Sequence, residues 1–194
     1  MHRAVFLDRD GVLIKNRADY IRDWSHVTLL PLTVNALQGF HRESLKIIIV
    51  TNQSAVGRGL ISFETAQDIN NRLTRTIKEN GGWIDAVYMC PHQPQDQCAC
   101  RKPQPGLLLQ AARELSLDLR SSWMVGDAWS DLLAGQLAGV QGTIMVKTGR
   151  GSIQLRGDQP AEIKPFVVCD DLFGAYQAIS ESVKKPVTGS NTYW

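Results

Sequence analysis

No apolar run in the sequence approaches the ~18 residues that a bilayer-spanning helix needs, which argues against a membrane-embedded chain. Net charge is also scarce. There are 21 lysines and arginines against 19 aspartates and glutamates, and the resulting +2 gives no argument for a nucleic acid or a membrane surface as partner. Aromatic residues make up 7%, and no basic stripe with interleaved aromatics is present, so a nucleic-acid-binding module is disfavoured. Four cysteines are too few for a disulfide scaffold in a chain of 194 residues, which can bury a core without staples. With 43% hydrophobic and 21% charged residues, the composition excludes a disordered chain, a collagen and a coiled coil. The opening Met1-His2-Arg3-Ala4-Val5-Phe6-Leu7-Asp8 meets charge too early for a signal peptide, so the expected location is the cytoplasm.

What is present is an alternation of strands and helices. Arg3–Leu7 reads as a strand that runs into Asp8-Arg9-Asp10-Gly11. Pro31–Glu43 carries a helical stripe of Leu32, Ala36, Leu37 and Phe40, with Pro31 expected in the first turn. Lys46–Val50 is a β-branched run without alternation, as in a parallel strand buried on both faces. Ser62 reads as the N-cap of a helix carrying Ala66, Ile69, Leu73 and Ile77, which Gly81-Gly82 closes. Further strands are expected at Ala86–Met89, Trp123–Val125, Thr143–Val146 and Phe166–Val168, and further helices at Gly106–Leu115, Ser130–Ala138 and Leu172–Val183. This order predicts an α/β fold: a doubly wound parallel sheet with helices on both faces, in one domain over residues 1–183. The tail 184–194 is expected to be mobile.

In such a sheet ligands sit at the carboxyl ends of the strands. Asp8-Arg9-Asp10, Thr51-Asn52-Gln53-Ser54 and Gly126-Asp127 follow expected strands directly, and Arg101-Lys102 follows a polar loop. Asp8 and Asp10 point to one side if the strand path continues, and two neighbouring carboxylates call for a hard cation such as Mg²⁺ or a shared proton. Phosphoryl transfer needs an in-line nucleophile, a proton donor and positive charge on the equatorial oxygens. Asp8 suits the first role and Asp10 the second, with a hydroxyl from Thr51 and a fixed charge from Lys102. Asp127 would complete a metal site with Asp8, and Asp131, one helical turn on, would orient Asp127 or Lys102 from behind. Taken alone, an Asp-x-Asp-Gly turn is equally compatible with a solvated loop.

Cys90, His92, Cys98 and Cys100 place three thiols and one imidazole within eleven residues. Such a donor set suits tetrahedral Zn²⁺ with no open coordination position, hence a structural ion. The polar stretch Gln93–Gln97 has no core of its own, so metal would supply its folding energy. Arg101, with its planar fork, and Lys102 would then be held rigidly next to the carboxylates. Cys169 stands apart in an apolar strand and reads as core.

Phe6-Leu7-Asp8-Arg9-Asp10-Gly11, then Thr51, Lys102 and Gly126-Asp127-Ala128-Trp129-Ser130-Asp131, resembles the haloacid dehalogenase superfamily in order and spacing. The resemblance implies a Mg²⁺-dependent phosphatase in which Asp8 forms an aspartyl-phosphate and Asp10 is acid and base. It also implies that the metal is held by Asp8, Asp127 and the backbone carbonyl of Asp10. The segment Gly11–Val50 leaves no room for an inserted cap domain, so the site should be open. Cys-Pro-His with Cys-x-Cys-Arg-Lys-Pro resembles two groups of that superfamily, the heptose 1,7-bisphosphate phosphatases and the histidinol-phosphate phosphatases. Thr51–Ser54 with Arg58 favours the first group, and the short loop between His92 and Cys98 favours the second. Under this likeness Asn16, Arg17, Ala18, Asp19, Asn52, Gln53, Ser54, Arg58 and Arg101 would contact a sugar phosphate, and the chain would be a monomer. Ala128 departs from the lysine frequent after the motif aspartate in these groups.

Overall fold

The structure is a computed structural model and describes residues 1–184. Six parallel strands, in the order β3-β2-β1-β4-β5-β6, form one sheet. They are β1 (Ala4–Leu7), β2 (Lys46–Asn52), β3 (Ala86–Cys90), β4 (Trp123–Gly126), β5 (Gly142–Val146) and β6 (Val167–Cys169). Parallel neighbours need crossovers, and helices supply them: α1 (Thr33–Arg42), α2 (Ser54–Gly57), α3 (Phe63–Glu79), α4 (Gly106–Glu114), α5 (Trp129–Ala138) and α6 (Gly151–Gln154), with α7 (Leu172–Lys184) following β6. The expected tail lies, beyond Lys184, outside the described residues.

The central strands are buried on both faces, and the two-residue period divides them between two cores. Val5, Leu7, Ile47 and Ile49 pack with Leu37 and Phe40 of α1, Leu73 and Ile77 of α3, and Ile179 of α7. Ala4, Phe6, Ile48 and Val50 face the other way, onto Leu107, Leu108 and Ala111 of α4 and Ala134 of α5. Each fully buried large side chain contributes roughly 1.5–3 kcal/mol, so the non-alternating apolar runs of β1 and β2 leave little freedom in register. Helix α3 starts as its sequence implies: the Ser62 side chain accepts from the Thr65 amide at 3.1 Å.

Helix α1 starts later than expected. Leu32 adopts a left-handed backbone (φ 58°), and the helix begins at Thr33, so Pro31 lies ahead of it rather than in its first turn. The chain between β1 and α1 is not a simple loop. It turns at Gly11 (φ 91°), where the amide bonds the Ile14 carbonyl at 2.7 Å, and Ile14 then bridges to Leu29. A side chain at Gly11 would run into the Asp127 carboxylate, so glycine here allows both the turn and the close approach of β4. This small flap carries residues 16–21 over the strand ends, and among the described residues no inserted domain covers them. Cys169 is half-buried against the first core rather than fully inside it.

Candidate active site

Asp8 follows β1, and its amide bonds the Val125 carbonyl of β4 at 3.0 Å, so β1 and β4 fix where its side chain emerges. Lys102 Nζ lies 2.6 Å from Asp8 Oδ1, 2.7 Å from Asp131 Oδ1 and 2.7 Å from the Val50 carbonyl. All three side chains are buried. Asp131 sits in the first turn of α5 and accepts from the Ala128 amide at 3.0 Å. Gly126 admits this packing, because a Cβ there would strike the Asp131 side chain. Lys102 itself is fixed from β2: Asn52 donates to its carbonyl and accepts from its amide, both at 3.1 Å. The expected role of Asn52 as a substrate contact therefore competes with two bonds to the Lys102 backbone.

Asp8, Asp127 and Asp131 bring carboxylate oxygens within 4.8 Å of one another. Burial, then the Asp131 and Asp127 carboxylates, push Asp8 up to about 7 against the pull of Lys102. Asp127 is raised as well, first by burial and then by Asp131, with Arg150 opposing. For Lys102, burial favours the neutral amine, but Asp131 and Asp8 outweigh it and raise the group. Crowded buried oxygens of this kind fit a small hard cation, so the residues present are compatible with Mg²⁺. Asp10 stands outside that group. Its Oδ2 accepts from Gln53 Nε2 at 2.9 Å, and the same Nε2 reaches Thr51 Oγ1 at 2.8 Å.

These groups open into a cleft of about 500 Å³ lined by Asp8, Asp10, Asn16, Arg17, Ala18, Asn52, Gln53, Ser54, Arg101, Lys102 and Asp131. Five lining residues were not among the expected site residues: Tyr20, Ile21, Pro103, Ser130 and Arg150. Arg150 is the consequential one. Its Nη2 is 3.0 Å from Asp127 Oδ1, and its amide bonds Asp127 Oδ2 at 2.8 Å. It follows β5 within Lys147–Arg150, a polar cluster at the same sheet edge as the others, and that position was a usable signal. Two expected contacts are not in the cleft wall. Asp19 faces out, paired to Arg17 at 2.9 and 3.0 Å, and Arg58 caps the exposed end of α2.

The cysteine–histidine loop closes on itself. Cys90 and Cys100 sulfurs are 3.2 Å apart, Cys98 and Cys100 3.4 Å, and His92 Nδ1 is 3.3 Å from Cys100 and 3.5 Å from Cys90. Zn–S bonds of about 2.3 Å in a tetrahedron place sulfurs roughly 3.8 Å apart, so the donors fit that ion with a small expansion. Arg101 Nη1 donates to the His92 carbonyl at 3.1 Å, which couples the loop to the cleft.

A parallel α/β domain with a buried aspartate-and-lysine site at the carboxyl edge of its sheet has the arrangement that an aspartate-dependent phosphohydrolase needs. The chain matches the HAD-hydrolase-like family model over residues 99–175. It is 36% identical over 156 residues to the D-glycero-beta-D-manno-heptose-1,7-bisphosphate 7-phosphatase of Pasteurella multocida, covering 77% of this chain and 84% of that one. The Bordetella bronchiseptica protein of the same name is 35% identical over 171 residues, covering 88% and 93%. A crystal structure of D,D-heptose 1,7-bisphosphate phosphatase from B. bronchiseptica, complexed with magnesium and phosphate, superposes with a TM-score of 0.84 at 33% identity, covering 93% of this chain and 99% of that one. The chain belongs to the family of these phosphatases within the haloacid dehalogenase-like hydrolases. Among the described residues no helix is long and apolar enough to cross a membrane.

Proposed function

We propose that this protein is a phosphatase that removes the 7-phosphate of D-glycero-β-D-manno-heptose 1,7-bisphosphate through a phosphoaspartate on Asp8. The observation that carries the reading is the buried Asp8–Lys102–Asp131 chain beside Asp127, opening into a cleft whose wall holds Arg101, Arg17 and Arg150. One phosphate needs the inner groups, and a second phosphate on the same sugar gives the outer cations a purpose. The relatives favour this reading over histidinol phosphate, since those quoted above act by name on the heptose bisphosphate.

In this reading Asp8 attacks phosphorus while Lys102 and the Thr51 hydroxyl hold the equatorial oxygens. Asp10 gives its proton to the leaving sugar oxygen. Asp10 then takes a proton from water, and that water hydrolyses the phosphoaspartate. Mg²⁺, held by Asp8, Asp127 and the Asp10 carbonyl, would neutralise charge on the transferring phosphoryl group when bound. Arg150, whose guanidinium and amide both bond Asp127, would share that carboxylate with the cation at the cleft wall. Zn²⁺ on Cys90, His92, Cys98 and Cys100 would hold Arg101 in the cleft wall. Residues 1–183 act as one domain, and a cytoplasmic monomer is the simplest state.

Cys98→Ala is expected to separate the two cations. Lys102 is held by Asn52 from β2, whereas Arg101 depends on the loop. We expect KM to rise about tenfold with kcat within about twofold, as for loss of a contact made equally in ground and transition states. Steady-state kinetics alongside metal analysis check this, and unchanged KM with zinc lost would separate the loop from substrate binding.

The reading is tested by phosphate release with Mg²⁺ from both heptose 1,7-bisphosphate anomers, fructose 1,6-bisphosphate, histidinol phosphate and a phosphorylated oligonucleotide. The β-heptose is expected to exceed the others in kcat/KM by at least about tenfold, the discrimination that ~1.4 kcal/mol confers. Preference for histidinol phosphate would overturn the assignment of substrate.

A further inference from the structure

Arg9 lies between the two motif aspartates, yet only 1% of it is exposed. Burying a guanidinium carries a penalty of several kcal/mol unless a partner offsets it. Its ion-pair partner among the described residues is Asp10: Nη2 lies 2.9 Å from Oδ2 and 3.1 Å from Oδ1. Its Nη1 donates to Asn70 Oδ1 at 2.8 Å, and its Nε is buried without a partner. Asn70 is buried on α3, and its Nδ2 points at the Met89 sulfur of β3 at 3.6 Å, so its amide is oriented with oxygen toward Arg9. Gln53 approaches the same Asp10 oxygen from β2 and α2. The Asp10 carboxylate is therefore gripped by two side chains that are themselves set by the sheet and by α3. The backbone bonds of the 9–14 turn fix the main chain at Asp10 but do not by themselves set the direction of its carboxylate.

We propose that Arg9 is a positioning residue for Asp10, and that Asn70 locks it, so that α3 fixes the direction in which the acid and base of the reaction points. This rests on the phosphoaspartate reading above. Arg9 does not line the cleft, so it acts through Asp10 and not on the substrate. The burial of its charge has a function in this account: a neutral side chain would fill the space but would let the carboxylate turn.

The two half-reactions make the proposal testable. A sugar alkoxide needs a proton to leave, whereas p-nitrophenolate leaves without one, so misplacing the acid slows the first far more than the second. Rapid-quench formation of phosphoenzyme would be compared for the heptose bisphosphate and p-nitrophenyl phosphate with Mg²⁺. In Arg9→Met, formation from the sugar is expected to fall ~10²-fold, the scale of acid catalysis, and formation from the aryl ester to stay within about threefold. KM and inhibition by inorganic phosphate should hold within about threefold, since no substrate contact is lost. Arg9→Lys should recover about tenfold of the sugar rate, because it restores the charge but not the planar fork. Asn70→Ala, which keeps Arg9 and covers the case in which Arg9→Met does not fold, should show the same split at roughly tenfold. Equal losses with both substrates, or no loss with either, would overturn the clamp while leaving the phosphatase reading intact. Absence of phosphoenzyme in the unaltered protein would overturn both.

Discussion

Asp8→Asn is expected to abolish turnover, by at least ~10⁴-fold in kcat, while the protein becomes more stable near pH 8. In the proposed mechanism the loss follows from removing the atom that attacks phosphorus. The gain follows from the environment of the side chain. Asp8 is buried, faces Asp127 and Asp131, and is pushed up to about 7. A carboxyl raised in the folded state binds its proton more tightly there than in the unfolded chain. Its contribution is fully present below the unfolded value and is lost as pH rises through about 7. Asparagine does not ionise, so the benefit over aspartate should be absent near pH 4, grow as pH rises toward 7 and be full above it. About 1 kcal/mol moves Tm by roughly 2–4 °C in a domain of this size, which thermal melts at several pH values without added Mg²⁺ resolve. A variant that keeps substantial activity, or melts lower at pH 8, would contradict the assignment.

Lys102→Met is expected to damage both fold and chemistry. Lys102 Nζ is the cation between Asp8 and Asp131, and its removal leaves two buried carboxylates facing each other. Breaking a buried pair on one side typically destabilises by about 3–5 kcal/mol, and the Val50 carbonyl also loses its donor. The loss should be largest at pH 8 and shrink toward pH 5, because protonating the raised Asp8 relieves the repulsion. For catalysis, loss of a preorganised positive group near the phosphoryl oxygens should lower kcat by about 10²–10³-fold. Denaturant unfolding at two pH values, with kinetics at saturating Mg²⁺, measures both. Equal stability at pH 8 would show that the pair contributes nothing to folding.

The parts of the molecule that the sequence made legible share one property: they repeat or they interrupt a repeat. The apolar run Ile47–Val50 is uniform because both faces of β2 are covered, and Ser62 marks a cap because the stripe of Ala66, Ile69, Leu73 and Ile77 begins after it. The clusters after β1, β2 and β4 converge because parallel strands end at one edge. The flap after Gly11 was not legible, since its order comes from isolated bridges such as Ile14 to Leu29 and from no periodic pattern. Leu32 was misplaced into a helix because its apolar side chain fits the stripe while its backbone does not. Arg150 was missed because its partner Asp127 lies 23 residues away, in the bend that follows another strand. Arg9 was read as part of a motif, and only its burial against Asn70 reveals where the guanidinium goes.

The most direct measurement is ³¹P NMR of the heptose 1,7-bisphosphate during turnover with Mg²⁺, repeated with Asp8→Asn. The account predicts that the 7-phosphate resonance disappears while the 1-phosphate resonance stays, inorganic phosphate grows in its place, and the variant leaves both intact. Loss of the 1-phosphate, or turnover by the variant, would contradict it.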